Sequence, residues 1–484
     1  MNAGAVVALL PLLTIATTAV VVMLAIAIRR NHKVAAAISL IGIAVALGSL
    51  ALAASAGPRQ VATLFVLDGY ARLYMGLLLG AAGFALLFGY DYFKQRSDRP
   101  EEFYLLVLLA TTGAMVLVVS RHFVSLFLGL ELLSVALYSL IAYVRTERAS
   151  IEAGIKYLVL AASSSAALLF GLALIYAESG SMAFSQFAAV MTRTSGVTYT
   201  LPLLTGVMLV LTGIGFKLAV VPFQLWTPDV YEGAPLPVTA FIATVSKAGM
   251  FAFLLRWFHV PAAGVTGATG LVLTLIAVGS MLAGNLLALL QTNVKRIFAY
   301  SSIAHMGYLL VALLAGGSLG AAAASYYLAA YVVTILGAFG LMTVLSGPRY
   351  EAASIDSYRG LFWRRPLVAT AFTTTLLSLA GIPLTAGFLG KFYVIAAGAT
   401  QSRWLLLFTL VVSSTLGLFY YLRILVAMYS QPGGTEVEAS VSTTLPVSLP
   451  AVLALATLTG LIVLLGVYPA PLWGVILAVT RDLG

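Results

Sequence analysis

The sequence predicts an all-α polytopic membrane protein with about fourteen transmembrane helices. The chain of 484 residues has a mean hydropathy of +1.05, and 61% of its residues are hydrophobic but only 9% are charged, whereas about a quarter of a soluble domain is charged. Its apolar runs are roughly twenty residues long, as a spanning helix requires. Basic residues fall mostly in the short connections between these runs, so the net charge of +10 does not indicate nucleic-acid binding.

The spans are placed by the apolar runs and by the polar segments between them. Arg29 and Arg30 follow the first run, whereas a signal peptide carries its positive charge in front, so we interpret this run as a span. The predicted limits are 5–28, 34–54, 70–90, 103–120, 123–144, 155–176, 202–226, 237–257, 266–289, 297–315, 321–345, 366–397, 404–429 and 446–475.

Lysine and arginine predict the orientation, because connections on the cytoplasmic side are enriched in them. The connections assigned to the inner side hold about twice as many lysines and arginines as those assigned to the outer side. This predicts that both termini lie on the outer, periplasmic-type face. The predicted inner residues are Arg29, Arg30, Lys33, Lys94, Arg96, Arg99, Arg145, Arg148, Lys156, Lys295, Arg296, Arg349, Arg359, Arg364 and Arg365, and the predicted outer ones are Arg59, Arg72, Arg121, Arg193, Arg256, Arg403 and Arg481.

Several kinds of site are excluded or unsupported. The absence of cysteine excludes disulfides, thiolate-held iron–sulfur clusters and a catalytic thiol on this chain. We find no phosphate-binding glycine loop, dinucleotide fingerprint or metal-ligand spacing, so no cofactor is expected on this chain. Asp229 and Glu232 are interpreted as the cap of an inner connection rather than as metal ligands.

Two predicted spans are interrupted by proline. The segment 202–226 contains Pro222, and the unusually long segment 366–397 contains Gly381-Ile382-Pro383. Discontinuous helices of this kind carry the substrate and ion sites of many transporters. We therefore predict that helices 7 and 12 are broken.

An internal repeat is predicted from spans four to eight and nine to thirteen. In this alignment Phe170-Gly171-Leu172 corresponds to Phe339-Gly340-Leu341, and Gly215-Phe216-Lys217 to the stretch from Gly387 to Lys391. A unit of five spans is odd, so the second copy must be inverted in the membrane. The predicted parts are an N-terminal three-helix segment (1–100), a first five-helix repeat (101–260), a second, inverted five-helix repeat (261–430) and a C-terminal helix (431–484).

Glu131 and Lys217 are predicted to lie inside the membrane, where an ionisable residue is costly and usually faces a partner or a water-filled path. Burial disfavours the charged form of each group, and the charge of one favours the charge of the other, so we propose them as a pair. Pro222 cannot donate to the carbonyl of Leu218, which is therefore free to hold water beside the lysine. The structural alternatives are a salt bridge between helices and a kink for packing.

Three further residues are candidates for passing protons onward: Lys247 in the middle of its span, His305 and Lys391. Imidazole donates at one nitrogen and accepts at the other, and so can relay protons near neutral pH. The structural alternatives are that Lys247 only packs, that His305 is a hydrogen-bonded structural group, and that Lys391 snorkels from a kinked helix. We assign snorkelling to Arg423, near the inner end of its span.

Two hydroxyl clusters, Ser163-Ser164-Ser165 and Thr373-Thr374-Thr375, are weaker candidates for lining a water path. Ser and Thr side chains commonly donate to the backbone of their own helix. We favour that second interpretation.

Four strings then resemble the antiporter-like subunits of respiratory complex I (NADH:quinone oxidoreductase). They are GFKLAVVPFQLWTPDVYEGAP, TVSK ending at Lys247, QTNVKRIFAYSSIAHMGYLL and SLAGIPLTAGFLGKFYV. EFYLLVL, LFLGLELLS around Glu131 and YRGLFWRRP resemble the subunit N branch of that family. The resemblance covers nearly the whole chain and implies a fold of about fourteen helices with two inverted repeats.

The resemblance also implies roles for individual residues. Glu131 and Lys217 match the glutamate of helix 5 and its lysine partner in helix 7, and Lys247 matches the lysine of helix 8. His305 matches a position on the hydrophilic central axis, and Lys391 matches the helix 12 lysine of the exit half. Gln224 departs from relatives that carry histidine, which puts a proton-entry role there in doubt.

The resemblance further implies partners and a location. The complex is expected to use NADH, FMN, Fe–S clusters and quinone on other subunits. The partners are expected to be the lipid bilayer and other membrane subunits, including a second antiporter-like subunit and small membrane subunits, with no nucleic acid. The location is expected to be a bacterial inner membrane.

The function expected from the sequence is proton translocation driven by quinone reduction elsewhere in the complex. Separation of Glu131 from Lys217 would release a proton through Lys247 and His305 towards Lys391. The alternatives are a subunit of a Mrp-type cation/proton antiporter, and a structural subunit whose ions only brace helices. A function as an intramembrane enzyme is not supported, because the sequence shows no buried nucleophile–base set.

Overall fold

The computed structural model describes residues 3–186, 200–259, 267–348, 350–431 and 448–481. Arg193 and Arg349, which were used for the predicted orientation, lie outside the described residues. Residues 432–447 of the predicted C-terminal segment also lie outside the described residues.

Thirteen helices in the described part are long and apolar enough to cross a membrane, which confirms an all-α polytopic membrane protein. In chain order the helices are α1 (Ala3–Ile28), α2 (His32–Ser55), α3 (Gly69–Arg96), α4 (Glu101–Val119), α5 (Phe123–Ile141), α6 (Arg148–Ser179), α7 (Leu201–Leu218), α8 (Trp226–Gly233), α9 (Leu236–His259), α10 (Gly267–Leu289), α11 (Val294–Ala315), α12 (Gly317–Leu345), α13 (Leu361–Arg364), α14 (Pro366–Ala380), α15 (Ala386–Thr400), α16 (Trp404–Tyr429), α17 (Leu449–Val467) and α18 (Ala470–Arg481), with a 3-10 turn at Ile355–Tyr358.

The predicted helix 12 accounts for the difference between fourteen and thirteen spans. It consists of two shorter apolar helices, α14 and α15, separated by residues 381–385. The predicted helix 7 is likewise broken into α7 and the short α8, with residues 219–225 between them. Both predicted breaks are therefore present.

Each break begins at a residue in the left-handed conformation. Ala219 follows α7 with φ 60°, and Gly381 follows α14 with φ 83°. A left-handed residue ends a helix by turning the chain out of it, and glycine does so without the steric cost of a Cβ atom. Helix α7 thus ends at Leu218, before Pro222, and not as a kink at the proline.

Two other local features differ from the predicted elements. The predicted last span, 446–475, is interrupted: α17 ends at Val467 and α18 starts at Ala470. Pro469 disfavours the helical conformation of the residue before it, which explains the interruption. Between α2 and α3, strands β1 (Arg59–Val61) and β2 (Phe65–Leu67) form an antiparallel hairpin with Gln60 opposite Val66.

The centre of the bundle is formed by α9, α11 and α12. Every residue in the apolar window of α9 is buried, and nearly all are in α11 and α12, whereas most of α1, α2, α6 and α17 is open on the outside of the bundle. Helix α9 contains a π-turn at Ile242–Ser246, directly before Lys247. Lys247 on α9 and His305 on α11 therefore lie inside the bundle, away from its outer surface.

One end of the bundle carries most of the ion pairs, and we call it the basic face. Arg30 there binds Glu101 at the start of α4, and Arg96 at the end of α3 approaches Glu147 and Glu351. These ion pairs join connections that are distant in sequence.

Candidate functional site

Four ionisable side chains form the core of the site: Lys217, Lys247, His305 and Lys391. Their exposed fractions are only 3%, 0%, 4% and 7%. Snorkelling to water is therefore not available to the three lysines, and each must be held by neighbouring polar atoms.

Lys217 lies in the last turn of α7, where the negative end of the helix dipole favours a cation. Its Nζ donates to the hydroxyls of Ser134 on α5, at 3.0 Å, and Tyr157 on α6, at 2.9 Å. The same ammonium lies 5.6 Å from the centre of the Tyr157 ring. Lys217 is thus held by two neutral hydroxyls.

Glu131 and Lys217, which are proposed as a pair from the sequence, are not in direct contact among the ion pairs of the described residues. Its carboxylate is partly exposed and accepts a hydrogen bond of 2.6 Å from Ser165 on α6. A cavity of about 10 Å³ lies between Ser165, Ser134 and Lys217, which is close to the smallest volume that holds one water. The two groups are therefore separated by a small polar space and not joined directly.

Lys247 begins the helical turn after the π-turn of α9. Its Nζ donates to Ser302 on α11 at 2.6 Å, and the Ser302 hydroxyl in turn lies 2.6 Å from the Tyr331 hydroxyl. The ring of Tyr231 on α8 lies 5.6 Å from the same Nζ. Thr244, a neighbour of Lys247 in sequence, instead donates to the backbone of α9.

His305 lies one helical turn after Ser302 on α11. Its Nδ1 is 2.6 Å from the hydroxyl of Tyr327, and its Nε2 is 3.4 Å from that of Tyr421. Tyr421 also bonds Ser301 at 2.5 Å. Both ring nitrogens therefore have hydroxyl partners, as proton relay through an imidazole requires.

Tyr308 connects the neighbourhood of His305 with that of Lys391. Its hydroxyl accepts from Asn285 at 3.0 Å and from Ser413 at 3.2 Å, and its ring lies 5.3 Å from Lys391 Nζ. Ser302, His305 and Tyr308 are spaced by three residues, so they share one face of α11. That face provides a row of polar groups along the centre of the bundle.

Lys391 reaches back across the break in the predicted helix 12. From α15 its Nζ donates to Leu379 O at 3.1 Å, Ala380 O at 2.9 Å and Ser414 Oγ at 2.7 Å. The last carbonyls of a helix have no intrahelical donor and carry its negative dipole end. The break thus supplies acceptors for a buried ammonium.

The structure brings the predicted residues Lys247, His305 and Lys391 together through shared hydroxyl and aromatic neighbours. Lys217 and Lys247 are not joined by a continuous hydrogen-bonded chain within the described residues. Helix α8 lies between them: Trp226 contacts the Tyr157 ring, and Tyr231 contacts Lys247.

The sequence reasoning missed the hydroxyl partners of these ionisable residues. Tyrosine fits an apolar helix, so it does not stand out as a lysine does, but a buried phenol needs a hydrogen-bond partner. One detectable signal was the spacing of tyrosines by four residues in α12, at Tyr327 and Tyr331, which places both on one helix face.

The two hydroxyl clusters mostly behave as local helix partners. Thr373, Thr374 and Thr375 each donate to the backbone four residues earlier, and Ser163 does the same. Ser165 is different because it binds Glu131.

Asp229 and Glu232 take part in an ion network on the basic face. Asp229 pairs with Lys156 at 2.9 Å and with Arg296 at 3.0 Å, and Arg296 also binds Glu232 at 2.7 Å. Burial raises the pKa of Asp229, but hydrogen bonds from Lys156 and Arg296 lower it overall. The network fastens α8 to α6 and α11, and within the described ranges no three His, Asp or Glu side chains are grouped as metal ligands.

Arg423 behaves as expected of a snorkelling residue. Its guanidinium reaches the basic face and donates to the backbone carbonyls of Leu289, at 2.7 Å, and Gln291. It takes no part in the buried axis.

The chain is similar to known membrane proteins over most of its length. Residues 120–417 match the family described as NADH:quinone oxidoreductase/Mrp antiporter, transmembrane. The NADH-quinone oxidoreductase subunit N of Ectopseudomonas mendocina is 50% identical over 430 residues, which are 87% of this chain and 86% of that protein.

Solved structures show the same fold. A chain of respiratory complex I from Thermus thermophilus with bound aureothin is 32% identical, with a TM-score of 0.81 and 96% and 98% of the two chains covered. A chain of the Mrp complex from a Dietzia species has a TM-score of 0.86 over 100% of this chain and 98% of that chain, but only 21% identity.

Proposed function

The chain belongs to the NADH:quinone oxidoreductase/Mrp antiporter transmembrane family, and on this basis we propose that it is subunit N of respiratory complex I, moving protons across the membrane while quinone is reduced on other subunits. The resemblance found in the sequence motifs is thereby confirmed. The protein is a multi-pass membrane subunit of a respiratory translocase.

One observation supports proton transfer above all others. Lys247, His305 and Lys391 are enclosed in a membrane protein, and each is hydrogen-bonded to a hydroxyl, of Ser302, Tyr327 and Ser414 respectively. Burying three such groups is costly, and a purely structural helix contact does not require them. Hydroxyls accept and donate protons, so they can relay a proton between the ionisable groups.

The first step of the proposed route involves Glu131 and Lys217. The small cavity between Ser165, Ser134 and Lys217 supports one bridging water, which would couple the two charges without direct contact. Movement of Glu131 away from this water would weaken the attraction on the Lys217 proton. Driving one charge against about 100 mV costs about 2.3 kcal/mol, within the range of such an electrostatic change.

From Lys217 the proton would pass the aromatic segment α8 to Lys247, then His305, and would leave beside Lys391. Gln224 lies in the break before α8, and its Oε1 is buried without a hydrogen-bond partner in the described structure. Gln224 therefore offers an unused acceptor but lacks the titratable ring that a histidine would bring.

The wider assembly follows from the same proposal. NADH, FMN, Fe–S clusters and quinone would be bound by other subunits, and the electron transfer would occur there. The partners would include a second antiporter-like subunit and small membrane subunits in a bacterial inner membrane, with both termini of this chain on the periplasmic face. The two inverted repeats, 101–260 and 261–430, would then lie around the central axis. The N-terminal segment 1–100 and the C-terminal helix 431–484 would flank them.

The decisive experiment is Lys217→Met in the intact complex. We expect quinone reduction to drive little or no proton uptake in inverted membrane vesicles, with a normal amount of assembled complex. Lys33→Met is the matched control, because Lys33 is exposed at the start of α2, and it should leave pumping unchanged. Normal pumping by an assembled Lys217→Met complex would contradict the proposal and favour a structural subunit.

An independent cation/proton antiporter is the second candidate, and the shared fold with the Mrp chain favours testing it. Affinity capture of the tagged native chain, followed by mass spectrometry, distinguishes the antiporter from the complex I subunit. Flavin- and cluster-bearing subunits in the captured complex would support complex I. Their absence, together with sodium-dependent proton flux by the purified chain in liposomes, would support the antiporter.

A further inference from the structure

A large groove opens on the basic face, and none of the ionisable residues of the proposed proton route lines it. It has a volume of about 970 Å³ and lies between the end of α1, the start of α4, the end of α5 and the connection after α3. This volume is at the upper end of the range found for small-molecule sites. Nothing in the proposed proton route uses it.

The inner end of the groove is positively charged. Four arginines and two carboxylates line it: Arg30, Arg96, Arg99, Arg145, Asp98 and Glu102. A net positive lining of this kind suits an anion with several oxygen atoms.

The arginines of this lining differ in how far protein groups already occupy them. Arg30 holds Glu101 and Glu102, both at 3.1 Å, and Arg96 donates to backbone carbonyls of the connection after α12. Arg99 is 58% exposed and reaches Glu102 only at 3.8 Å. Arg145 is exposed and makes no hydrogen bond or ion pair within the described residues. Arg99 and Arg145 are therefore the two guanidinium groups most available to a ligand.

The other end of the groove is apolar and open to the side of the bundle. Helices α1 and α5 both pack on α4, so α4 forms the floor between two walls. Met23 and Ile26 belong to one wall, Ala142 ends the other, and Leu105 and Leu106 lie on the floor. The apolar residues belong to membrane-spanning helices, whereas the arginines lie at or beyond the ends of these helices.

We propose that this groove binds an anionic glycerophospholipid of the surrounding bilayer, with its phosphate between Arg99 and Arg145 and an acyl chain along α4. Basic pockets between transmembrane helices are suited to anionic headgroups. The two-part character of the groove favours a lipid over a free phosphate, because a free phosphate would leave the apolar walls uncovered. This inference is independent of the proposed proton transfer.

The test uses the full chain, purified in detergent and stripped of lipid, and native mass spectrometry. Phosphatidylglycerol and zwitterionic phosphatidylcholine are titrated separately. We expect one tightly bound phosphatidylglycerol and much weaker phosphatidylcholine. The double variant Arg99→Gln/Arg145→Gln should lower the affinity for phosphatidylglycerol by about 10- to 30-fold, because each of the two arginines near an anionic headgroup contributes about three- to fivefold.

Two further variants keep the test specific. Arg359→Gln is the matched control: Arg359 is 59% exposed at the basic face and pairs only with Asp356 within the described residues, so the affinity should not change. Ala27→Trp adds no charge but fills the apolar wall, and should also lower the affinity for phosphatidylglycerol. Circular dichroism shows whether each variant remains folded.

Equal affinity for the two lipids would overturn the proposal. So would an unchanged affinity for phosphatidylglycerol in folded Arg99→Gln/Arg145→Gln and Ala27→Trp chains. In the intact complex, a polypeptide from another subunit filling the groove in place of a lipid would overturn it as well.

Discussion

Each buried ammonium of the axis is held by neutral oxygen atoms. Lys217 donates to Ser134 and Tyr157, and Lys247 donates to Ser302. A neutral acceptor stabilises a cation less strongly than a carboxylate does, and it leaves no buried anion behind when the proton departs. This choice of partners suits residues that gain and lose a proton.

Tyr157→Phe tests the hydroxyl partner of Lys217. The ring remains, but the hydroxyl that accepts from Nζ at 2.9 Å is lost. A hydrogen bond to a charged group contributes about 1.5–3 kcal/mol, so proton pumping should fall by about tenfold or more. The measurement is redox-driven proton uptake in inverted vesicles.

The matched control for this variant is Tyr326→Phe, since Tyr326 donates to the carbonyl of Leu465 away from the axis. It should pump normally. If the two variants lose the same fraction of activity, the Tyr157 hydroxyl has only a structural role.

A buried ion pair at the opposite face provides a pH prediction. Arg256 binds both oxygens of Asp68 at 2.8 and 2.9 Å, and both side chains are mostly buried. Burial raises the pKa of Asp68, but the hydrogen bonds and charge of Arg256 outweigh this and lower it. The pair therefore stabilises the fold above the ordinary aspartate pKa of 3.8 and loses this effect as the pH falls through the lowered value.

Asp68→Asn should lower the free energy of unfolding by about 3–5 kcal/mol at neutral pH, because it leaves a buried guanidinium unpaired. The difference from the unmodified chain should shrink below the ordinary aspartate pKa. Asp356→Asn removes an exposed ion pair and should change stability by at most about 1 kcal/mol. Thermal unfolding of the purified chain across pH measures both, and equal effects would contradict the assignment.

The ionisable residues of the axis were predictable because a charge inside an apolar run is conspicuous in a sequence. Their hydroxyl partners were not, because Tyr308 and Tyr157 are compatible with any apolar helix. The way in which Glu131 and Lys217 are coupled was not predictable for a related reason. Sequence indicates that two charges lie on neighbouring helices, but it does not predict which rotamer or which serine separates them.

At the scale of elements, the two broken helices present their lysines in related ways. Lys217 lies in the last turn before its break, whereas Lys391 lies after its break and reaches back to the last carbonyls of α14. The predicted alignment placed these lysines at equivalent sequence positions. The structure places them on opposite sides of their breaks, yet each is associated with the carboxyl end of the first half-helix.

Gly381→Ala tests whether the second break positions Lys391. The residue has φ 83°, and an added Cβ would lie 2.9 Å from Lys391 Cδ and 3.0 Å from its Nζ. Strain of about 1–2 kcal/mol and displacement of the ammonium are expected, so pumping should fall while the complex still assembles.

Gly460→Ala in α17 is the control for this substitution, because nothing lies within 4 Å of the added Cβ atom and alanine favours a helix. Its pumping should match the unmodified chain. Normal pumping by Gly381→Ala would show that the break does not set the position of Lys391.

At the scale of the whole molecule, the proposed route is a series of steps through one bundle. We expect protons to pass Lys217 and Lys391 in sequence. The double variant Lys217→Met/Lys391→Met should then pump at about the rate of the slower single variant, because the losses of activity from groups that act as one unit do not add. Residual pumping rates in vesicles measure this. Losses that multiply would indicate two separate routes.

The overall fold was the most predictable level, since long apolar runs and interrupting prolines determine the spans and breaks. The hairpin at Arg59–Val61 and Phe65–Leu67 was missed because three-residue strands have no clear periodicity. The interruption at Tyr468 was missed because the apolar composition continues through it. Both omissions concern short segments in which local backbone preference outweighs hydropathy.

The π-turn of α9 contains one residue more than an α-helical turn would, and Lys247 follows it directly. Removing any single codon from Ile242–Ser246 would let the helix return to regular winding. Because the extra residue is accommodated within the π-turn, the segment beyond the deletion would keep about the same rotation, and Lys247 would still lie on the side of Ser302. The surplus residue therefore changes the backbone hydrogen bonding directly before the central lysine, and not the helix face on which this lysine lies.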